Sequence, residues 1–280
     1  MDLKQLFGYE GKNVVITGAG SGMGKAAAKL LVELGANVYA TVRRKPLDFA
    51  VTKEIKCDLG SKEGIDMIIP ELPEKVDALF ICHGISNSLG KTNALEVQKT
   101  NFYSFKYLTE LVLPRIADNG SVTFISSDGG KAWRDRLPQC LEVIATTSWD
   151  EALAWYEAHP EETGDGYVFA KQCQNAYVMS KCHSPEFIGR KIRLNAIAPG
   201  MTKTGLTDDF NKSITGNAEQ GQAILEKYSL EFWNGRWASP EEMGHPMVAI
   251  GSDIFSYMSG QVIYIDYGTA SLWEIGELTK

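Results

Sequence analysis

The sequence predicts an α/β protein in which a doubly wound parallel sheet of seven strands is covered by helices on both faces. Short apolar runs typical of buried strands alternate with stretches of helical periodicity such as GKAAAKLLVELG and NFYSFKYLTELVLPRIA. This alternation is typical of repeated strand–helix–strand units. The predicted strands are residues 13–17, 37–42, 54–57, 76–82, 121–126, 192–198 and 261–266.

The composition is that of an ordinary soluble globular protein, with 44% hydrophobic and 22% charged residues among 280. The net charge is -7 and the longest basic run is Arg43, Arg44 and Lys45, so we expect neither nucleic-acid nor anionic-membrane binding. No apolar run reaches the length of about 18 residues that spans a bilayer. The N-terminal segment also lacks a signal-peptide pattern, and we expect a cytoplasmic protein.

The cysteines and histidines form no metal-binding pattern. The five cysteines are odd in number and show no C-x-x-C spacing, and the four histidines are scattered along the chain. We therefore predict no bound metal and no disulfide bond.

Two segments interrupt the alternation within a chain that we expect to form one domain over residues 1–280. Residues 128–166 are predicted to be a helical insertion, because SWDEALAWYEAHPEE opens with Ser148 and Glu151 at capping-box spacing and repeats apolar residues at helical spacing. Residues 203–238 are polar with interspersed aromatic residues, and we expect them to form a substrate loop.

A glycine-rich turn, Thr17–Lys25, directly follows the first predicted strand and runs into an alanine-rich helix. Glycines at such a turn let the backbone approach a pyrophosphate beside the free N–H groups of the helix. The turn is not a P-loop, because Ala19 and Ala26 stand at required positions, and Met23 breaks the G-x-G-x-x-G pattern. We predict a dinucleotide site, with an ordinary tight turn as the alternative. The remaining pattern is G-x-x-x-G-x-G at Gly18, Gly22 and Gly24.

Further motifs follow in a fixed order along the chain. They are CHG at 82–84, KTN at 99–101, ISS at 125–127, a Tyr-x-x-x-Lys, RLNAIAPGMTKT at 193–204 and SGQVIYIDYG at 259–268. Together with TGAGSGMG they resemble the short-chain dehydrogenase/reductase family over nearly the whole chain. The resemblance implies a Rossmann-type fold, a nicotinamide cofactor, and a homodimer or homotetramer. The chain departs from the family's usual residues at Cys82, His83 and Tyr267.

Two tyrosine–lysine pairs compete for the family's catalytic position, Tyr167 with Lys171 and Tyr177 with Lys181. The helix that carries the catalytic tyrosine must start at the carboxyl ends of the strands and run the length of the sheet before the next strand begins. About 25 residues separate Tyr167 from Ile192, against about 15 for Tyr177, and a helix rises about 1.5 Å per residue. We therefore assign Tyr167 and Lys171.

The resemblance implies a role for each catalytic candidate. Tyr167 would be the acid–base group, and the charge of Lys171 would favour its phenolate while the lysine also binds the nicotinamide ribose. Ser127 would hold the carbonyl oxygen, on which negative charge develops. Asn101 would help to hold a water that leads protons to Lys171. As purely structural alternatives, Asn101 caps or kinks its helix and Ser127 closes its strand.

The end of the second strand indicates which cofactor is bound. Val42 is followed by Arg43 rather than by an acidic residue, so no carboxylate repels a 2′-phosphate, and NADP(H) is favoured over NAD(H). Asp58 and Leu59 resemble the family's adenine-contacting pair. The predicted cofactor site is Gly18, Ser21, Gly22, Met23, Gly24, Arg43, Asp58, Leu59, Gly84, Tyr167, Lys171, Pro199, Gly200 and Thr202.

The substrate is predicted to be apolar. A similar insertion occurs in bacterial 3-alpha-hydroxysteroid dehydrogenase/carbonyl reductases, which the chain also resembles at RLNAIAPGMTKT. We therefore expect a secondary alcohol and ketone of a steroid or bile acid, with another carbonyl compound, or nucleotide sensing without catalysis, as alternatives. Sensors commonly lose the tyrosine or the lysine, and this chain retains both. The expected apolar pocket residues are Met201, Leu206, Phe210, Tyr228, Phe232 and Trp233.

Overall fold

A computed structural model describes residues 3–87, 92–205, 207–227 and 236–277. It confirms the seven-stranded parallel sheet, whose order is β3-β2-β1-β4-β5-β6-β7. The first three strands extend the sheet in one direction and the last four in the other, so the chain reverses between β1 and β4. Ligands of open α/β sheets bind at such a reversal. The strands are β1 Asn13–Ile16, β2 Asn37–Val42, β3 Lys53–Lys56, β4 Val76–Ile81, β5 Ile116–Ile125, β6 Arg193–Pro199 and β7 Val262–Ile265.

Helices cover both faces of the sheet. Successive side chains of a strand point to opposite faces, so the apolar side chains of each strand must be buried on both faces. In β1, Val14 and Ile16 belong to a core that includes Leu31 and Met247, whereas Val15 belongs to the core on the other face. The helices are α1 Leu3–Phe7, α2 Gly22–Glu33, α3 Lys62–Ile68, α4 Ala94–Gln98, α5 Ser104–Val112, α6 Leu137–Ala145, α7 Trp149–Ala158, α8 Pro160–Thr163, α9 Tyr167–Lys181, α10 Pro185–Ile188, α11 Thr207–Thr215, α12 Ala218–Leu225, α13 Glu241–Gly251 and α14 Thr269–Glu274.

Strand β5 begins earlier than the apolar pattern predicts. Ile116 already pairs with Val76, and the register then shifts before Ser121 pairs with Ala78. Asn119, in the irregular stretch, adopts a left-handed conformation with φ of 64°. A bulge of this kind carries no alternation of apolar and polar residues, so the sequence indicated only the regular part of the strand.

Residues 128–166 fold into short turns followed by α6, α7 and α8. The side chain of Ser148 accepts a hydrogen bond from the Glu151 backbone N–H and so caps α7. Trp149 packs edge-on against Tyr103, with 5.2 Å between ring centroids, and Trp155 stacks on Phe169 of α9. These aromatic contacts fix the segment to helices next to the sheet.

Only part of the expected apolar pocket belongs to the described residues. Leu206, Tyr228, Phe232 and Trp233 lie outside the described residues, and so does the side chain of Phe210. Met201 is described and is buried.

Among the described residues, no helix combines the length and the apolar character needed to cross a bilayer. All five cysteines are free thiols. Within those same ranges, no three His, Cys, Asp or Glu side chains come together in a way that could hold a metal ion.

Candidate active site

A cleft of about 440 Å³ opens where the chain reverses between β1 and β4. The turn after β1 forms one wall, and the residues that follow β2, β3 and β4 line the cleft together with residues of α9 and the segments after β5 and β6. Parallel strands bring all these loops to one edge of the sheet. Of the predicted cofactor residues, those that line the cleft are Gly18, Ser21, Gly22, Met23, Gly24, Arg43, Asp58, Leu59, Gly84, Tyr167 and Lys171.

The glycine-rich turn has the shape of a phosphate cradle. Gly18 and Gly22 have φ of 67° and 57°, which side chains disfavour. A Cβ on Gly24 would lie 2.5 Å from the backbone oxygen of Gly18, so only glycine fits there. Ser21 precedes α2 without capping it through its side chain, which leaves first-turn N–H groups for an anion. These features fit the pyrophosphate of a dinucleotide.

His83, one of the departures from the family's usual residues, joins the turn to α5. Its Nδ1 lies 2.8 Å from the Thr17 hydroxyl and its Nε2 lies 2.7 Å from the Ser104 hydroxyl. Ser104 already donates to the Thr100 carbonyl, so His83 Nε2 donates and Nδ1 accepts. Burial lowers the pKa of His83 to about 3, which keeps this neutral form. The imidazole therefore fixes the cleft wall as an uncharged bridge.

Tyr167 is the first residue of α9 and lies in the cleft, as the length argument requires. Gly166, with φ of 88°, turns the chain into the helix. Tyr177 lies in the core instead, stacked on Phe124 with 5.9 Å between ring centroids. The structure thus separates the two tyrosines as expected, and the catalytic role of Tyr167 stays a prediction.

Ser127, the second residue after β5, is a hydrogen-bond partner of the Tyr167 phenol. Burial raises the pKa of the Tyr167 phenol to about 12, and the hydrogen bond with Ser127 opposes that rise. The Ser127 hydroxyl donates to Asp128 Oδ1 at 3.1 Å and accepts from the Gly129 N–H at 3.0 Å. Ser126 points the other way and donates to Asn175. Only Ser127 therefore joins the tyrosine.

Lys171 lies one helical turn after Tyr167 and is buried. Its Nζ lies 5.6 Å from the centroid of the Tyr167 ring and donates to the Ile125 carbonyl at 3.0 Å. Burial lowers the pKa of Lys171 to about 7. Burial, rather than the attraction between the two groups, is therefore the main cause of both pKa shifts.

Asn101 lies in a π-helical turn, residues 99–103, that joins α4 to α5. Its side chain accepts from the Ile85 N–H and donates to the Ile85 carbonyl, both at 2.8 Å. The amide thereby fixes the loop after β4. The backbone carbonyl of Asn101 accepts a hydrogen bond from the side chain of Gln174.

A second, smaller cavity of about 110 Å³ adjoins the cleft. Pro199, Gly200 and Thr202 line this cavity rather than the cleft, with Met201 and Trp237 as its apolar wall. Tyr167 lines both cavities. The phenol therefore stands where a small molecule in the second cavity would meet a dinucleotide in the first.

Sequence reasoning missed Asp128 and Gln174. The carboxyl of Asp128 faces the second cavity, and burial raises its pKa while Lys131 opposes the rise. Asp128 follows Ser127 in the chain, so an acidic residue beside a catalytic candidate was a usable signal. Gln174 lies three residues after Lys171, and its polarity on a buried helix face was the corresponding signal.

Comparisons with known proteins agree with this geometry. Residues 12–138 match a family model described as short chain dehydrogenase, and residues 160–270 match one described as enoyl-(acyl carrier protein) reductase. A coniferyl-alcohol dehydrogenase from a Pseudomonas strain is 30% identical over 263 residues, covering 94% of this chain and 98% of that protein. The chain belongs to the short-chain dehydrogenase/reductase family.

Solved structures of other proteins share this fold. The 3-alpha-hydroxysteroid dehydrogenase of Pseudomonas sp. B-0831, complexed with NADH, has a TM-score of 0.75 at 21% identity, covering 94% of this chain and 99% of that one. RhlG of Pseudomonas aeruginosa, complexed with NADP, has a TM-score of 0.67 at 22% identity, covering 95% and 98%. As a family member, this chain is an oxidoreductase that uses a nicotinamide cofactor and acts on alcohol or carbonyl groups.

The close packing at Gly24 leads to a prediction about cofactor affinity. Gly24→Ala should weaken NADPH binding at least about tenfold, because its methyl group must displace the Gly18 carbonyl from the turn. Gly11→Ala is the matched control, since Gly11 does not line the cleft and a Cβ there meets no atom within 4 Å, so any strain from its φ of 71° affects stability rather than affinity. Fluorescence titration with NADPH measures both variants, and equal affinities would show that the turn does not hold the cofactor.

The two tyrosines make a second prediction. Tyr167→Phe removes only the hydroxyl and should lower turnover at least about a hundredfold, the usual size of one acid–base contribution. Tyr177→Phe is the matched control and should keep turnover within a few-fold, because its ring packs in the core. Steady-state rates and melting temperatures of both variants decide the matter. The opposite order of rates would overturn the assignment of Tyr167.

Proposed function

We propose that this chain interconverts an alcohol and a carbonyl compound at Tyr167, with NADP(H) favoured over NAD(H). The observation that carries the proposal is that Tyr167 lines both the cofactor-sized cleft and the adjoining smaller cavity. A proton donor placed there would contact both the cofactor and the substrate of a hydride transfer. Binding without catalysis is the less favoured alternative, because Ser127, Tyr167 and Lys171 all lie together at this junction.

The chain's own residues supply the proton and the charge stabilisation. When bound, the nicotinamide cofactor would supply the hydride in reduction and accept it in oxidation. In reduction, negative charge develops on the carbonyl oxygen. Tyr167 donates its proton to that oxygen, and burial keeps the phenol protonated at neutral pH. Ser127 turns its hydroxyl hydrogen from Asp128 to the same oxygen. In the reverse direction, the Lys171 ammonium favours the phenolate that removes the alcohol proton.

The preference for NADP(H) rests on the loop after β2. Arg43 is exposed at the rim of the cleft, with Arg44 and Lys45 beside it, and Val42 stands where a carboxylate would repel a 2′-phosphate. A guanidinium binds phosphate through charge-assisted hydrogen bonds. Three cations at this rim favour the phosphorylated ribose.

Arg43→Asp tests this preference. The substitution should lower the affinity for NADPH about tenfold to a hundredfold relative to NADH, because a charge-assisted hydrogen bond contributes about 1.5 to 3 kcal/mol. Arg134→Asp is the matched control, since Arg134 is an exposed arginine outside the cleft. If the ratio of the two affinities stays constant in Arg43→Asp, Arg43 has no part in cofactor selection.

The proposed substrate carries an apolar ring next to its carbinol carbon. Met201 and Trp237 give the second cavity an apolar wall, and Asp128 adds a hydrogen-bond acceptor. An aryl alcohol suits this small cavity, and the relative named coniferyl-alcohol dehydrogenase supports that class. A hydroxysteroid or bile acid is the second candidate. It is supported by the helical insertion, residues 128–166, whose first residue, Asp128, lines the second cavity.

A substrate panel separates these classes. We expect coniferyl alcohol, a bile acid and a steroid ketone to include the best substrate, with kcat/KM at least about tenfold above that for sugars and sugar acids, because burying an apolar ring adds binding energy. Initial rates with NADP(H) and NAD(H) measure this. Better turnover of the sugars would overturn the apolar assignment. Cofactor binding without turnover of any compound would favour the alternative that the chain senses nucleotides without catalysis.

A further inference from the structure

Gln174 joins two parts of the site that the family resemblance links only through water. Its side chain is fully buried on α9, one turn beyond Lys171. Its Oε1 accepts from Lys171 Nζ at 3.3 Å, and its Nε2 donates to the backbone carbonyl of Asn101.

Chemistry forces the orientation of this amide. A carbonyl oxygen only accepts and an ammonium only donates, so the NH₂ group must face Asn101 and the oxygen must face Lys171. The opposite orientation would set two acceptors against each other at one end and two donors at the other. The assignment of the two atoms therefore does not depend on how the amide was placed.

The bridge limits the freedom of Lys171. The ammonium has three donors, and the carbonyl oxygens of Ile125 and Gln174 accept from two of them. A lysine side chain has four rotatable bonds and is otherwise poorly fixed. With two contacts fixed, the third N–H is free to serve the ribose and Tyr167, whose ring centroid is 5.6 Å away.

We propose that Gln174 is a positioning residue. Its side-chain amide lies between Lys171 and Asn101 and holds the Lys171 ammonium in place. This inference rests on the proposed function, in which Lys171 acts on Tyr167 and the cofactor. A side-chain amide passes a proton along only by changing to its unfavourable imidic form. The bridge therefore orients the ammonium and does not conduct protons from Asn101 to Lys171.

Two substitutions separate this role from simple packing. Gln174→Leu fills the space but removes both hydrogen bonds. Gln174→Ala leaves a polar gap in which water, at about 30 Å³ per molecule, can restore the link between Lys171 and Asn101. A positioning role predicts that the alanine variant is the more active of the two, whereas a packing role predicts the reverse order, because the larger cavity costs stability.

The expected rates follow from the lost contact. Gln174→Leu should lower kcat at least about tenfold, and Gln174→Ala should recover several-fold of that loss. KM for NADPH should change less than kcat in both variants. Gln172→Leu is the matched control, because Gln172 is a neighbouring amide of α9 that donates to the Lys131 carbonyl and does not contact Lys171.

A readout without turnover keeps the two proposals apart. Lysine labelled at Cε allows the ionisation of Lys171 to be followed by NMR in the cofactor-free chain. Loss of the Gln174 acceptor disfavours the ammonium, so the pKa of Lys171 should fall in Gln174→Leu, fall less in Gln174→Ala and stay unchanged in Gln172→Leu.

Each outcome decides something. An unchanged pKa of Lys171 in both Gln174 variants, or a leucine variant more active than the alanine variant, would overturn the positioning role. If the unmodified chain turns over no alcohol or carbonyl compound, the proposed function fails. The NMR titration then still decides whether Gln174 holds Lys171.

Discussion

Burial of the Lys171 ammonium is the constraint on which the rest of the site depends. Removing a charged group from water is costly unless hydrogen bonds replace its hydration, and the pKa of Lys171 falls to about 7 because burial disfavours the charged form. The Ile125 carbonyl at the end of β5 and the Gln174 amide on α9 provide replacement partners. The sheet and the helix must therefore meet at a fixed distance for the ammonium to persist.

The amides of α9 maintain this distance. Asn175 accepts from Ser126, the residue after β5, and donates to the Gly130 carbonyl. Gln174 reaches the opposite side, to Asn101. Buried polar side chains with satisfied hydrogen bonds specify one arrangement more strictly than apolar contacts do. The helix that carries Tyr167 and Lys171 is thus tied both to the loop after β5 and to the turn before α5.

The fold could be predicted from the sequence because buried parallel strands produce short apolar runs that helices separate. The start of strand β5 is an exception. The first part of β5 includes a register shift and the polar residues Asp118 and Asn119. These residues interrupt the apolar pattern, so the pattern does not indicate that the strand has already begun. A register shift interrupts the alternation of side chains, so the apolar pattern indicates the regular part of a strand and not its bulged start.

Much of the candidate site could also be predicted, because motif order fixes which strand end each residue follows. Asp128 and Gln174 were missed for a different reason. Each is a polar residue with a neighbour distant in sequence, Asp266 for Asp128 and Asn101 for Gln174. The sequence offered only their positions near Ser127 and Lys171 as a signal, because one chain shows neither the burial nor the partners of a polar residue. The burial of an apolar residue, in contrast, is indicated by its place in a helical or strand repeat.

The choice between two tyrosines shows what a length argument can decide. Both pairs have the same spacing, and local chemistry does not distinguish Tyr167 from Tyr177. The sheet distinguishes the two tyrosines, because α9 must begin at the carboxyl end of β5 and run back along the sheet before β6 begins. A tyrosine ten residues further along the helix is carried about 15 Å down the sheet, into the aromatic core beside Phe124. Position along the helix therefore determines which phenol can reach a ligand, and burial makes the second one a packing residue.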